Sequence, residues 1–469
     1  MNYSHKANHI LLSMCALFVT ACATPTTEHS DTSPQDAHTS DQAPVNQSNQ
    51  QLIKSCEAEH IESCHKLAEN YAKGEGVPKN ETKAHQLYQK ACDQGNSLSC
   101  TQLGIYHQRG KGVPVDNQKA TALFKKGCDG GVPLGCFKLG QIYGEGVGVA
   151  KDPQRAMGFY KLACDAEHAL SCFNLAATLR TATDTPDPNE IVQLYQKACT
   201  LNEMNSCLHL SEFYLNGKYV TQDIAMANTY IQKACTTDVL LGCTRLGMHY
   251  ENGTGLPQDI DKANQLYARA CSAGFHDACT NLGTNYVQGN GLPQDLAKAR
   301  DLFEKACEQD APMGCNNLGV LYTEGNGVPQ DLTKANELYK RACDQDVMLA
   351  CSSLGTHYAQ GYGVPLDMDK AIALLKKACN HGEMQSCTNL GIFYYSGQNI
   401  PKDADQARTY FTKACDQDFA QACGGLGVLY LHGAGVPKDT NKALELYQKA
   451  CDGGVESACD ILQKIKQRR

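Results

Sequence analysis

Ala278-Cys279-Thr280-Asn281-Leu282-Gly283, then Tyr286, Gly289, Gly291-Leu292-Pro293-Gln294-Asp295, Lys298-Ala299, Leu302-Phe303 and Lys305-Ala306-Cys307 mark out one stretch of chain that carries two helical periods. In its first half Cys279, Leu282, Gly283 and Tyr286 recur at steps of three or four, which places them on one helical face, and the helix is predicted to stop near Gly289. In its second half Ala299, Leu302, Phe303, Ala306 and Cys307 follow the i, i+3, i+4, i+7, i+8 pattern of a buried stripe. Gly289 and Gly291 supply the positive φ angles that end the first helix, and Asp295 stands where its carboxylate can cap the second. Small residues such as Gly283 and Ala299 let the two helices approach closely.

The same pattern returns every 36 residues, with one spacing of 35 between Cys164 and Cys199. Of the 26 cysteines, Cys15 and Cys22 lie in the N-terminal stretch. The rest form twelve evenly spaced pairs: Cys56 with Cys64, Cys92 with Cys100, Cys128 with Cys136, Cys164 with Cys172, Cys199 with Cys207, Cys235 with Cys243, Cys271 with Cys279, Cys307 with Cys315, Cys343 with Cys351, Cys379 with Cys387, Cys415 with Cys423 and Cys451 with Cys459. Thiols at this density suit an oxidising compartment. Identical local spacing favours nearest-neighbour bridging over a metal site or reduced core thiols; zinc sites use tighter spacing, and no Cys-x-x-Cys occurs. Each bridge then staples the turn between one unit and the next, as across Ser272 to Ala278. Neither helix of a unit can bury its stripe alone, so the units must stack. The expected fold is all-α: a right-handed α-solenoid superhelix of antiparallel two-helix repeats, one disulfide per repeat, spanning 52–469 as eleven repeats plus caps.

Asn317-Leu318-Gly319, Tyr322, Gly325-Asn326-Gly327-Val328-Pro329, Lys334-Ala335 and Leu338-Tyr339 resemble the Sel1-like branch of the tetratricopeptide-type repeats. The paired cysteines further resemble the Helicobacter cysteine-rich proteins. The first likeness implies that the first helix of each unit lines a concave surface. There the polar residue before the recurring leucine (Gln102, Asn174, Asn281, Asn317, Asn389) either joins a ladder that contacts an extended peptide or satisfies a neighbouring loop carbonyl. The second likeness implies penicillin binding and weak β-lactamase activity.

Residues 1–21 read as a signal peptide, with a weakly basic start, an apolar run from Ile10 to Val19 and a small residue before the cut. Val19-Thr20-Ala21-Cys22 resembles a bacterial lipobox, which implies acylation of Cys22. Ala23 in the following position favours an outer-membrane anchor over the inner membrane, and an ordinary secretory signal is the alternative. Residues 22–51, rich in Thr, Ser, Asp, Gln and Pro, are expected to form a disordered tether. No later stretch has the length of apolar sequence that a membrane helix needs.

The formal charge of −8 gives no sign of the basic surface expected of a nucleic-acid binder. Ser63-Cys64-His65-Lys66 formally matches the Ser-x-x-Lys of serine β-lactamases, with Ser63 as nucleophile and Lys66 as base. It occupies an ordinary repeat slot, however, and no companion motif accompanies it. The histidines fall at unrelated slots, so neither a metal site nor a cofactor is expected. Two functions remain: a lipid-anchored scaffold that binds a protein, a peptide or cell-wall fragments in its groove, or a β-lactam-directed enzyme. The loop around Thr183-Asp184-Thr185-Pro186 and the variants Gly217-Lys218-Tyr219 and Gly397-Gln398-Asn399 depart from the repeat, through loop drift or a change of curvature.

Overall fold

A computed structural model describes residues 45–182, 187–237 and 239–467. Cys15, Cys22, the leader and Thr183 to Pro186 lie outside the described residues. Within them the chain is helical throughout and contains no strand.

The first six helices are α1 (Gln47–Glu57), α2 (Ile61–Lys73), α3 (Glu81–Asp93), α4 (Ser97–Arg109), α5 (Asn117–Asp129) and α6 (Pro133–Glu145). Next come α7 (Pro153–Asp165), α8 (Ala169–Ala182), α9 (Pro188–Thr200), α10 (Met204–Asn216), α11 (Ile224–Thr236) and α12 (Leu240–Asn252). The third group is α13 (Ile260–Ser272), α14 (His276–Gln288), α15 (Leu296–Glu308), α16 (Pro312–Glu324), α17 (Leu332–Asp344) and α18 (Met348–Gln360). The last is α19 (Met368–Asn380), α20 (Met384–Ser396), α21 (Ala404–Cys415), α22 (Ala420–His432), α23 (Thr440–Asp452) and α24 (Glu456–Gln467). Every helix packs on its neighbours in sequence, so the fold is an α-solenoid. Even-numbered helices of successive units also meet, α14 on α16 and α20 on α22. They form the more closely spaced, inner layer.

Two expected boundaries shift. Residues 47–51, assigned to the tether, are the first turns of α1, which Asn46 caps by accepting from Asn49 N. Their polar composition hides the reason: buried Asn49 donates to Glu75 O at 2.8 Å, so the helix is held by a hydrogen bond to the next unit as well as by apolar burial. The stapled turn is also shorter than Ser272 to Ala278. Helix α13 runs through Ser272 and α14 starts at His276, which leaves Ala273-Gly274-Phe275 as the connection.

Loop chemistry explains where the helices stop and start. Gly289 and Gly291 adopt φ of 69° and 66°. Asp295 accepts from Lys298 N at 3.0 Å, and an Asp or Asn caps each of the remaining odd-numbered helices from α3 to α23 in the same way, except that Asp187 of α9 accepts from Asn189 N, two residues on. The lysine three residues after the cap also serves the loop. Lys298 lies 3.3 Å from Asp295 and 5.3 Å from the centre of the Tyr286 ring, so the recurring Lys-Ala and Tyr hold the loop between them. In the variant loops Tyr219 and Asn399 take over the second glycine's left-handed conformation, with φ of 67° and 60°. Tyr219 offsets that strain by packing on Phe213, ring centres 4.9 Å apart.

The glycine of the recurring Leu-Gly pair seats a ring. A Cβ on Gly283 would stand 2.6 Å from Phe303, on Gly247 2.6 Å from Tyr267, and on Gly319 2.8 Å from Tyr339. Those rings are almost wholly buried.

Successive units are joined in three ways. All twelve cysteine pairs are bridged, with Cα atoms 4.5 to 5.0 Å apart. The cysteine near the end of each odd helix is bonded to the one at the start of the even helix that follows. Along the chain the bonds run from Cys56 to Cys64, Cys92 to Cys100, Cys128 to Cys136, Cys164 to Cys172, Cys199 to Cys207 and Cys235 to Cys243. They continue from Cys271 to Cys279, Cys307 to Cys315, Cys343 to Cys351, Cys379 to Cys387, Cys415 to Cys423 and Cys451 to Cys459. Closing so short a loop removes roughly 2 to 3 kcal/mol of unfolded-state entropy in the chain-entropy model. In most units a cation two residues before the odd helix's cysteine reaches the helix end of the preceding unit. Lys90 donates to Cys56 O at 2.7 Å, Lys233 to Cys199 O at 2.8 Å, Arg269 to Cys235 O at 2.9 Å and Lys377 to Cys343 O at 3.0 Å. A positive charge there meets unsatisfied carbonyls and the negative end of the helix dipole. The third joint is a buried amide. Asn336 donates to Tyr362 O at 2.6 Å and accepts from His357 Nδ1 at 2.7 Å. Asn264 donates to Asn290 O and accepts from Asn285, and Asn228 donates to Thr254 O and accepts from His249.

Two outcomes follow for stability. Gly283→Ala should cost about 1 to 3 kcal/mol by overpacking against Phe303. Gly158→Ala, in α7 where an added Cβ meets nothing within 4 Å, should gain about 0.5 to 1 kcal/mol, both read from urea unfolding. Burial holds His249 and His357 below the ordinary histidine pKa. Below about pH 6.5 the unfolded chain therefore binds more protons, and the thermal midpoint should be level above that pH and fall beneath it. Replacing both residues by Asn, the type already present at Asn285, keeps the clamp and should shallow the fall; an unchanged slope would contradict this origin.

Candidate functional site

The inner face of the solenoid is built from the same four positions of each even helix, the −2, +2, +5 and +9 residues relative to its cysteine, which successive helical turns align. The amides named from the sequence stand at the second of these positions, all half-buried. Asn317 reaches Thr284 of the preceding unit at 3.4 Å and Asn389 reaches Thr356 at 3.5 Å. Neither bonds a loop carbonyl; the pairing runs from unit to unit along the face. Asn317 also accepts from Asn316 at 3.1 Å, and Asn389 from Gln385 at 3.0 Å. Asn174 lies within hydrogen-bond reach of the Tyr160 hydroxyl. Asn281 and Gln102 occupy the equivalent slots of α14 and α4.

Ser63 and Lys66 share one face of α2, but Lys66 Nζ bonds Glu69 at 2.9 Å. That pairing raises the lysine pKa and keeps the ammonium protonated, the wrong state for a general base.

Sequence reading missed one feature of the inner face and one packed behind it. Gly424-Gly425 stands where the other even helices from α2 to α20 carry side chains, and a cavity of about 310 Å³ opens there. Phe411 and Tyr447 line it, together with Ile392, Val428 and Ile461. The other feature is a cluster in α8 to α10. Arg180 donates to the Tyr195 hydroxyl at 3.2 Å and lies over the Phe213 ring at 5.5 Å, while His209 packs on Tyr195 with ring centres 5.2 Å apart. The signal for the first was a glycine pair outside any turn. The second was marked by the short 164–199 spacing, whose loop is abnormal. Among the described residues no group of three or more His, Cys, Asp or Glu side chains could hold a metal ion, and no helix is long and apolar enough to cross a membrane.

The Sel1 repeat model matches eleven segments in near-continuous succession from 61–96 to 420–455. The chain belongs to the Sel1 repeat family. Among solved structures, this Sel1 repeat chain is similar to c5321, a protective antigen of uropathogenic Escherichia coli with an SLR fold. The two share 26% identity over 90% of this chain and 91% of that one, with a TM-score of 0.72. A Sel1 repeat protein from Oxalobacter formigenes is 27% identical over 66% of this chain and 90% of its own, with a TM-score of 0.48. Cysteine-rich protein B of Helicobacter pylori is 33% identical over 28% of this chain and 93% of its own, with a TM-score of 0.24. No curated protein matches.

Because Lys66 is committed to Glu69, incubation with a fluorescent penicillin should leave Ser63 unlabelled in a tryptic map, with identical signal from the Ser63→Ala variant. An acyl adduct on Ser63 would overturn that expectation.

Proposed function

We propose that this Sel1 repeat protein is an exported scaffold, anchored by a lipid on Cys22 at the outer membrane, that holds a protein or peptide partner along its inner face. The observation that carries the reading is the alignment of amide and hydroxyl side chains, exemplified by Asn317 with Thr284 and Asn389 with Thr356, across successive units of the inner layer. Amides and hydroxyls both donate and accept, which suits the backbone of an extended peptide. Most of these groups stay half-exposed, so binding costs little desolvation. Twelve bridges favour an oxidising, exported compartment, in keeping with the signal-like leader. The segment from Cys22 to about Val45 would let the folded part stand off a membrane surface by roughly 25 to 30 Å as a flexible tether.

Crosslinking in intact envelopes, followed by affinity capture, tests the scaffold. A defined partner should be recovered with the native chain and lost, or weakened by about tenfold, when Asn281, Asn317 and Asn389 are all replaced by Ala in a protein of unchanged thermal midpoint. Equal recovery with that variant would sink the amide-lined groove. Cys22→Ser should move the protein from the membrane to the soluble fraction; if the protein stays membrane-bound, the lipid anchor is wrong.

A further inference from the structure

The inner face changes chemistry along its length. At the position of the amide ladder the units read Lys138 in α6, Asn174 in α8, His209 in α10 and Arg245 in α12, then Asn281, Asn317, Ser353, Asn389 and Gly425 in α14 to α22. The second run has no charge. In the first, Arg109 of α4 lies close enough to Lys138 to repel it, and burial together with that repulsion lowers the Lys138 pKa. Arg180 and Arg245 both bear electrostatically on His209. Arg109, Lys138 and Arg245 on the inner positions, and Arg180 one residue off them at the edge of the face, make no ion pair with a carboxylate among the described residues, in a chain whose formal charge is −8. Lys138 instead bonds the neutral Gln141 at 2.9 Å, and Arg180 keeps a buried Nε without a partner. The acids of these even helices are Glu145, Glu212 and Glu251; Glu212 stands 3.9 Å from His209, and Glu251, in the slot that Arg180 fills in α8, accepts from the Tyr267 hydroxyl at 2.7 Å.

Exposed leucines share this face. Leu98, Leu170 and Leu241 are 53%, 47% and 37% exposed, each one helical turn before Gln102, Asn174 and Arg245 on the same face. We infer that the inner face from α4 to α12 binds an extended acidic peptide segment whose carboxylates alternate with apolar side chains. Charge complementarity selects the acidic residues and the exposed leucines select the apolar ones. Packed helices stand about 8 to 10 Å apart and an extended chain advances about 3.3 Å per residue, so about three peptide residues span each unit. A uniform polyanion fits less well, because Glu145 and Glu212 would repel a backbone charged at every step. The inference rests on the proposed peptide-binding face and narrows it to one ligand chemistry and one half of the groove.

The probe is a fluorescein-labelled fifteen-residue peptide of repeated Asp-Leu-Ser, measured by anisotropy against the full chain with its bridges intact. Saturable binding is expected, weakening with salt. It should fall roughly tenfold in the Lys138→Gln, Arg245→Gln double variant, as loss of two modest charge pairs implies, and remain within about twofold in Lys125→Gln, Lys340→Gln, which removes two exposed cations from the odd helices α5 and α17. A Lys-Leu-Ser peptide should not bind. Circular dichroism and the thermal midpoint establish that the double variant is folded; should it unfold, Leu98→Asp with Leu241→Asp provides the same test. No binding of the acidic peptide, equal binding by the double variant, or equal binding of heparin would each overturn the inference. Envelope capture keeps the two readings apart. A partner captured equally well by the double variant but lost with the Asn281, Asn317 and Asn389 variant leaves the scaffold standing and removes the acidic ligand. Acidic-peptide binding without any captured partner does the reverse.

Discussion

An aromatic ring lying where a side chain would otherwise stand sets the geometry of most units. Phe303 fills the space beside Gly283, Tyr267 the space beside Gly247 and Phe411 the space beside Gly391. The even helix thus comes against the odd helix at backbone distance, and the pair becomes one rigid block with a nearly closed interior. In an elongated molecule with no central core, such a block must then be fixed to the next by contacts made only at their shared boundary.

That boundary is over-determined, and by chemically different means. A covalent bridge holds the turn, a lysine or arginine covers the exposed carbonyl end of the preceding odd helix, and a buried asparagine ties the odd helix to the following Gly-x-Gly loop. Where one is missing the others remain. Leu162 occupies the cation's slot in α7 and is 57% exposed, yet Cys128 and Cys136 are bridged there as elsewhere. Loss of any one contact is therefore local, and the inner face keeps its register.

Helices, caps and bridges were readable in the sequence because each depends on residues close together in the chain: Asp295 with Lys298, Gly289 with Gly291, Cys271 with Cys279. The buried asparagines were not, since Asn264 answers a backbone carbonyl 26 residues away, and a carbonyl carries no residue letter. The cation two residues before the cysteine was plainly visible as a recurrence, but its partner on the preceding unit could be named only once the stacking was known. The start of α1 was misjudged for a related reason: polar residues 47–51 gave no apolar period, while Asn49 draws stability from Glu75 O. On the inner face the candidate amides recur at one position of the even helices, a recurrence the letters show, yet the Gly424-Gly425 cavity and the unpaired cations emerge only when side chains from separate units are set side by side.

The uniform separation of eight residues between bridged cysteines has a consequence for how the chain is made. Each cysteine's correct partner is closer in sequence than any other, the next candidate from Cys64 being Cys92. By loop-closure entropy alone the near pairing is favoured roughly sixfold, before the helical hairpin adds its own bias. Twenty-four thiols that could shuffle through an enormous number of arrangements are thereby reduced to twelve independent local reactions. Each can finish as its own turn enters an oxidising space, in order from the N-terminus, while the rest of the chain is still arriving.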